Sequence, residues 1–148
     1  MIRLSTKSRY GARIMLELAL HYGRGPLLLK DISRRQEISE GYLEHIMPAL
    51  KAAGLVHSIR GAHGGYMLAK QPSQITFREI VEALEGTLAL VDCVNSPELC
   101  YRVDSCVTRE IWGQMSEKML EVLESNNLQD IVERQKKIQG TDSLMYSI

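Results

Sequence analysis

The sequence has few large aromatic side chains and no long apolar run. One Phe and one Trp stand among 148 residues, although 45% of the residues are hydrophobic, so a packed core has to be aliphatic. No apolar stretch approaches the roughly 20 residues that cross a bilayer, and the first residues lack the pattern of a secretion signal. We therefore expect a cytoplasmic protein with no membrane partner.

Cysteine is scarce and clustered. Cys93, Cys100 and Cys106 are the three cysteines of the chain. A disulfide framework uses an even number, usually in a secreted protein, so this odd cluster favours metal or redox chemistry. Thiolates suit zinc, copper(I) or iron–sulfur clusters, but the spacing is too wide for a C-x2-C zinc knuckle. Cys106 precedes a predicted helix, which favours its thiolate. Three buried or redox-only cysteines are the alternative.

The net charge of zero conceals an asymmetry between the two halves of the chain. Residues 1–72 contain 11 Lys and Arg against 5 Asp and Glu, whereas residues 73–148 contain 7 against 13. A basic first half is what a phosphate-binding module needs, because neutralised phosphates release counterions. The alternative is two solvated faces that happen to differ in charge.

The segment 38–68 has the pattern of a winged helix-turn-helix. Ser39 is a suitable N-cap for a helix with apolar residues at helical spacing, and Gly54 suits its end. Two short strand candidates, 55–59 and 66–69, flank a glycine-rich basic turn. In this motif the helix enters a major groove, and the hairpin contacts the phosphate backbone or a minor groove.

Three surfaces provide candidate DNA-binding residues. Cations at the start of the first helix lie at the positive end of its dipole, which indicates an anionic partner. A carboxylate such as Glu44 can accept from cytosine N4 and so discriminate between bases. Arg60, at the hairpin tip, suits a narrow minor groove. The candidates are Arg3, Lys7, Arg9, Ser39, Glu40, Tyr42, Glu44, His45, Arg60, Gly61, His63 and Gly64.

The second half is predicted to be helical. A helix over 108–124 carries a wide apolar stripe that the small first half cannot cover, so we expect a homodimer; packing on its own chain is the alternative. A short helix over 128–135 follows. The fold expected is mainly α, with a long C-terminal dimerisation helix. Its parts are a winged helix-turn-helix domain with a small β-hairpin wing (1–86), a cysteine loop (87–106), the dimerisation and last helices (107–136) and a mobile tail (137–148).

These motifs resemble the Rrf2 family of bacterial transcription regulators, and within it the iron–sulfur-cluster regulators, over roughly residues 1–128. The resemblance rests on Arg60-Gly-x-x-Gly-Gly-Tyr66, Tyr42-Leu-Glu44, the opening Arg3-Leu-Ser-Thr-Lys-Ser-Arg-Tyr10 and the cysteines. It implies a homodimeric transcription regulator, either a repressor or an activator, that binds a pseudo-palindromic operator in double-stranded DNA. It also implies a [2Fe–2S] cluster on Cys93, Cys100 and Cys106 that modulates operator binding, with iron–sulfur cluster assembly genes as targets.

The chain departs from these relatives at the fourth cluster ligand. They have a histidine three residues after the third cysteine, where this chain has Arg109, whose guanidinium stays protonated. The fourth ligand is therefore open, and sensing of nitric oxide, redox state or sulfur and cysteine status is the alternative. No catalytic motif points to an enzyme. A winged-helix redox or interaction module is the alternative that does not involve DNA.

Overall fold

Three helices and a hairpin form the first half of the protein. The computed structural model describes residues 2–146, with side chains described through residue 140. The elements of this half are α1 (Thr6–Leu20), α2 (Leu29–Gln36), α3 (Glu40–Ala52), β1 (Val56–Ile59) and β2 (Gly65–Leu68). The strands pair antiparallel, with Val56 opposite Leu68 and Ile59 opposite Gly65. The mainly helical winged-helix fold expected from the sequence is confirmed.

Four further helices form the second half of the described chain. They are α4 (Phe77–Glu85), α5 (Asp92–Asn95), α6 (Val107–Ser125) and α7 (Leu128–Tyr146). The prediction that the last helix ends near residue 135 is wrong, because α7 continues to Tyr146. Gln, Lys and Leu propagate a helix well, so Gly140 does not end it. The predicted mobile tail over 137–148 thus largely coincides with α7, and residues 147 and 148 lie outside the described residues.

Capping residues explain where several helices begin. The Ser39 hydroxyl accepts a hydrogen bond from the amide three residues on, at 3.2 Å, and so starts α3. Thr76 and Glu79 form the predicted capping box of α4, each side chain accepting from the other's amide. Asn127 starts α7 in the same way, at 2.9 Å. Each cap satisfies amides that the helix itself leaves unpaired.

One aliphatic core joins both halves. Helix α7 packs on α1 and contributes Leu128 and Val132 to the core of the winged-helix half. Each fully buried aliphatic side chain contributes about 1.5–3 kcal/mol to stability. The largest fully buried hydrophobic side chains are Ile14, Met15, Ile32, Leu43, Ile46, Met47, Leu50, Leu55, Ile75, Ile80 and Leu128.

Helix α6 lies against α4 and leaves much of its own apolar surface uncovered. The two helices pack together, and at their contact Arg78 of α4 donates to Glu124 of α6 at 3.2 Å. The side chains on the opposite side of α6 include Val107, 71% exposed, and Met115, 41% exposed. Within residues 2–146 we find no helix with the length and apolar character needed to cross a membrane.

Candidate nucleic-acid interface and cysteine loop

The start of α1 presents the first group of predicted DNA-binding cations. Ser5 caps the helix, accepting a hydrogen bond from the Ser8 amide at 3.1 Å. Arg3 and Arg9 are exposed and Lys7 is half-buried. In the described part of the chain, none of the three forms an ion pair with a carboxylate. The charges of Arg3 and Arg9 are therefore available to an anionic partner, whereas Lys7 also lies near the carboxylate of Glu85.

The start of α3 presents the predicted base-reading residues. Glu40, Glu44 and His45 are exposed, as the helical pattern requires. The hydroxyl of Ser39 is exposed but already accepts the capping hydrogen bond, so it acts first as a structural group. Tyr42 is half-buried, which distinguishes it from the other members of this group.

An aromatic contact holds the start of α3 against α1. The Tyr42 ring meets the Tyr10 ring edge to face, with the centroids 5.5 Å apart and an angle of 84°. The guanidinium of Arg13 lies 5.3 Å from the centroid of the Tyr10 ring. Such aromatic pairs contribute about 0.5–1.5 kcal/mol beyond the area they bury. The contact fixes the orientation of the α3 N-terminus relative to the cationic start of α1.

A polar network that the sequence did not reveal joins α1 to α2. Arg13 donates to the backbone carbonyl of Gln36 and, at 2.8 Å, to its side-chain oxygen. The Gln36 amide donates in turn to the carboxylate of Glu17 at 2.6 Å, and Arg35 lies 3.5 Å from the same carboxylate. Because Glu17 is buried, these partners compensate its loss of solvation.

The wing adjoins the outward face of α3. Lys51 of α3 donates to Ser58 of β1 at 2.9 Å. A groove of about 330 Å³ lies between α3 and the wing, with Glu44 and Tyr66 among its lining residues. One face therefore carries both Glu44, a predicted base-reading residue, and the wing.

The wing turn contains four predicted DNA-binding residues in two different environments. Arg60, Gly61 and His63 are exposed, whereas Gly64 is buried. A Cβ atom at Gly64 would lie 2.1 Å from the carbonyl oxygen of Ile59. Gly64 therefore shapes the turn by allowing close backbone approach, and the exposed residues are the ones available for contact.

The cysteine loop presents three half-buried thiols outside any disulfide. Cys93 lies in α5, Cys100 follows a short 3-10 turn, and Cys106 is the N-cap of α6. The Thr108 hydroxyl, which shares a 3.3 Å hydrogen bond with the Cys106 sulfur, lowers the pKa of that thiol. The backbone amide of Arg109 lowers it further, as expected at a helix start.

The loop matches an iron–sulfur site in donor type but not in arrangement. Three thiols are the soft ligands that such clusters use. In the described part of the chain, however, no three His, Cys, Asp or Glu side chains lie close enough to hold one metal ion. Arg109, at the position of the expected histidine, donates instead to the backbone carbonyl of Cys93 at 3.0 Å. This bond joins α6 directly to the segment of the first cysteine.

Comparison with known sequences identifies a family. The Rrf2 profile, described as an iron-dependent transcriptional regulator, matches residues 4–134. The HTH-type transcriptional regulator CymR of Bacillus subtilis is 42% identical over 130 residues, covering 88% of this chain and 89% of CymR. The HTH-type transcriptional regulator IscR of Photorhabdus laumondii is 38% identical over 135 residues, covering 91% of this chain and 82% of IscR.

Solved structures agree with the sequence relatives. The structure of CymR, the global cysteine regulator of B. subtilis, matches with a TM-score of 0.77 and 40% identity, covering 90% of this chain and 98% of that chain. The structure of T. potens IscR also matches with a TM-score of 0.77, at 38% identity, covering 93% and 91%. The sequence relatives named above are transcription regulators rather than enzymes. This chain therefore belongs to the Rrf2 family of transcription regulators.

Proposed function

We propose that this regulator acts in the cytoplasm as a homodimer on a pseudo-palindromic operator in double-stranded DNA, and that its cysteine loop sets the operator affinity. The observation that carries the proposal is the exposed apolar stripe of α6, the helix that Cys106 caps. A dimer formed through α6 connects two cysteine loops to two copies of α3, and two half-sites need two reading helices.

The apolar stripe supports the homodimer. Contiguous exposed apolar surface of this kind marks an interaction site. A second copy of the same helix can cover it through a two-fold contact, in which each stripe packs on the other. The exposed apolar side chains of the stripe are Val107, Ile111, Trp112, Met115 and Val122.

The DNA contacts divide into positioning and reading groups. Arg3, Lys7 and Arg9 contact phosphates at the start of α1, and Arg60 with His63 does so from the wing. These contacts supply affinity that falls with salt. Ser39, Glu40, Tyr42, Glu44 and His45 form the reading end of α3. Because a carboxylate repels phosphate and accepts from cytosine N4, Glu44 contributes selectivity rather than affinity.

The cofactor proposed for the loop is a [2Fe–2S] cluster held by Cys93, Cys100 and Cys106, with the fourth ligand open. The three thiols, the lowered pKa of Cys106 and the likeness to IscR support it. A bound cluster supplies one-electron redox chemistry and a centre that reacts with nitric oxide or oxygen. The same likeness makes iron–sulfur cluster assembly genes the first targets to examine.

A thiol sensor of redox or sulfur status is the second candidate function. The bond from Arg109 to the Cys93 carbonyl favours it, because a protein group occupies the position of the expected histidine ligand. The lowered pKa of Cys106 also makes that thiol more nucleophilic near neutral pH. The likeness to CymR, a global cysteine regulator, agrees with this candidate.

Anaerobic purification distinguishes the two candidates. We expect iron and acid-labile sulfide in the wild-type protein, a visible absorption spectrum, and the loss of all three when any of the cysteines is replaced by serine. Arg109→His should slow the loss of the cluster, whereas the control Arg102→His, elsewhere in the loop, should not. Zinc without iron or sulfide would contradict the cluster and leave the thiol sensor.

A further inference from the structure

A carboxylate at the end of α4 holds the start of α1. Glu85 is the last residue of α4, and its Oε1 accepts from the Ser5 amide at 2.9 Å and from the Ser8 hydroxyl at 2.6 Å. Ser5 is itself the N-cap of α1. The first turn of α1 is thus tied to a residue about 80 positions away in sequence.

The position of this carboxylate is unfavourable within its own helix. The C-terminus of a helix carries the negative end of the dipole, which repels an acidic side chain. The start of α1 supplies the compensation, since the Ser5 amide and the Ser8 hydroxyl donate to the carboxylate there. The hydrogen bonds from Ser5 and Ser8 lower the pKa of Glu85, and nearby Lys7 acts in the same direction. Glu85 is therefore held as a carboxylate between two helix ends.

Glu85 also stands at the boundary between the two halves of the chain. Gly86, at φ +85°, follows it and turns the backbone toward the cysteine loop. Beyond this point a groove of about 520 Å³ separates residues 2–4 from residues 87–90. At the start of α4, Arg78 donates to Glu124 of α6 at 3.2 Å, and α4 packs against α6.

We propose that Glu85 is a positioning residue for DNA binding, through which the loop-bearing half of the chain sets the place of the cationic first turn of α1. The proposal rests on the proposed function for the role of that turn at the phosphate backbone. When the cysteine loop or α6 displaces α4, the hydrogen bonds of Glu85 displace Ser5 and Ser8 with it. Arg3 and Lys7, on either side of Ser5, then move relative to the DNA.

The sign of the effect on DNA affinity separates this role from plain electrostatics. Glu85 is an anion close to a phosphate-binding surface, so its removal alone should strengthen DNA binding or leave it unchanged. Loss of a positioning contact should weaken DNA binding instead. We expect Glu85→Ala to weaken operator binding about threefold to tenfold. Glu85→Gln, which keeps one accepting oxygen, should fall between Glu85→Ala and the wild type.

Hydrogen exchange tests, without DNA, whether Glu85 holds the first turn of α1. In Glu85→Ala the backbone amides of residues 5–9 should exchange faster than in the wild type. Glu82→Ala is the matched control: it removes a carboxylate from the same helix, but one that accepts from Arg78. Exchange at residues 5–9 should be unchanged in this control. Unchanged exchange in Glu85→Ala would overturn the proposal.

DNA binding by a double-mutant cycle completes the test. Glu85→Ala and Ser8→Ala should each weaken operator binding, and the double variant should bind little more weakly than Glu85→Ala alone, because Glu85→Ala already removes the contact that Ser8 makes. Equal or tighter binding by Glu85→Ala would overturn the positioning role. Absence of salt-dependent DNA binding by the wild type would instead overturn the proposed function, and the exchange measurement would still decide whether Glu85 holds the first turn.

Discussion

A glycine at the start of β2 provides a sharp test of how the wing is built. Gly65 has a φ of +148°, and a Cβ atom added there would lie 2.6 Å from the carbonyl oxygen of Leu27. Leu27 pairs with the wing: its amide donates to the Tyr66 carbonyl and its carbonyl accepts from the Tyr66 amide, both at 2.8 Å. We therefore predict that Gly65→Ala destabilises the protein and displaces the wing.

Two contributions set the size of this effect. An alanine at such a φ costs about 1–3 kcal/mol of backbone strain. Separation of Leu27 from Tyr66 removes two hydrogen bonds of about 0.5–1.5 kcal/mol each, so the total is about 2–6 kcal/mol. Gly61→Ala is the matched control, because Gly61 has a φ of +110° but no atom within 4 Å of an added Cβ. The Gly61→Ala variant should be destabilised by the backbone strain alone.

Urea unfolding measures the free energy of unfolding of both variants. Gly65→Ala should be less stable than Gly61→Ala by about 1–3 kcal/mol, the contribution of the two hydrogen bonds. It should also bind the operator more weakly, because the wing no longer lies beside α3. Equal free energies of unfolding for the two variants would refute the assigned role of the Leu27 bridge.

Further predictions concern DNA, the dimer and pH. Arg60→Ala should weaken binding to all DNA sequences in fluorescence anisotropy and reduce its salt dependence, by about 1–3 kcal/mol if Arg60 also enters the minor groove. Glu44→Ala should loosen sequence preference in a randomised-site selection, with similar non-specific affinity. Ile111→Glu with Met115→Glu should give monomers by light scattering and abolish operator binding. The pKa of Glu85 is lowered from its ordinary value of 4.5. The hydrogen bonds of its carboxylate therefore stabilise the protein fully at pH values above 4.5. This stabilisation is lost as pH falls through the folded-state pKa, and Glu85→Gln should lack that part of the pH dependence of unfolding.

Each of these predictions has a contrary outcome. Unchanged affinity and salt dependence after the arginine substitution would remove the wing from DNA binding. An unaltered base preference would rule out Glu44 as a reading residue. Gln114→Glu adds a single charge at an exposed polar position of α6 beside the apolar stripe, and this control should stay dimeric. A dimer in the stripe variant would place the interface elsewhere. If the free energy of unfolding falls with acidic pH equally in the wild type and in Glu85→Gln, the contacts assigned to the Glu85 carboxylate are contradicted.

Local signals made much of the fold predictable from the sequence. The capping box of Thr76 and Glu79 and the apolar spacing on α3 both involve residues that are close in sequence. The sequence alone therefore shows where these helices lie. The length of α7 was missed because that prediction relied on an apolar stripe, which weakens after Val132. Good helix-forming residues continue the helix without such a stripe.

The site was predictable in its residue types but not in its long-range polar contacts. Cys93, Cys100 and Cys106 stood out by number and position alone. The bonds from Arg109 to the Cys93 carbonyl and from Ser8 to Glu85 join distant segments, and polar pairs of this kind leave no periodic pattern. An acidic residue at a helix C-terminus was the one local indication of the second bond, because the dipole disfavours it there.

The most direct test of the proposed function is the operator affinity of the protein in two states of its cysteine loop. Wild-type protein is loaded anaerobically with iron and sulfide, and a second portion is stripped with a chelator under reducing conditions. Both are titrated with the same operator at the same salt concentration. We predict affinities that differ about tenfold, which lies within the range typical of coupling between two sites. Equal affinities, with loading verified by iron and sulfide analysis, would contradict it.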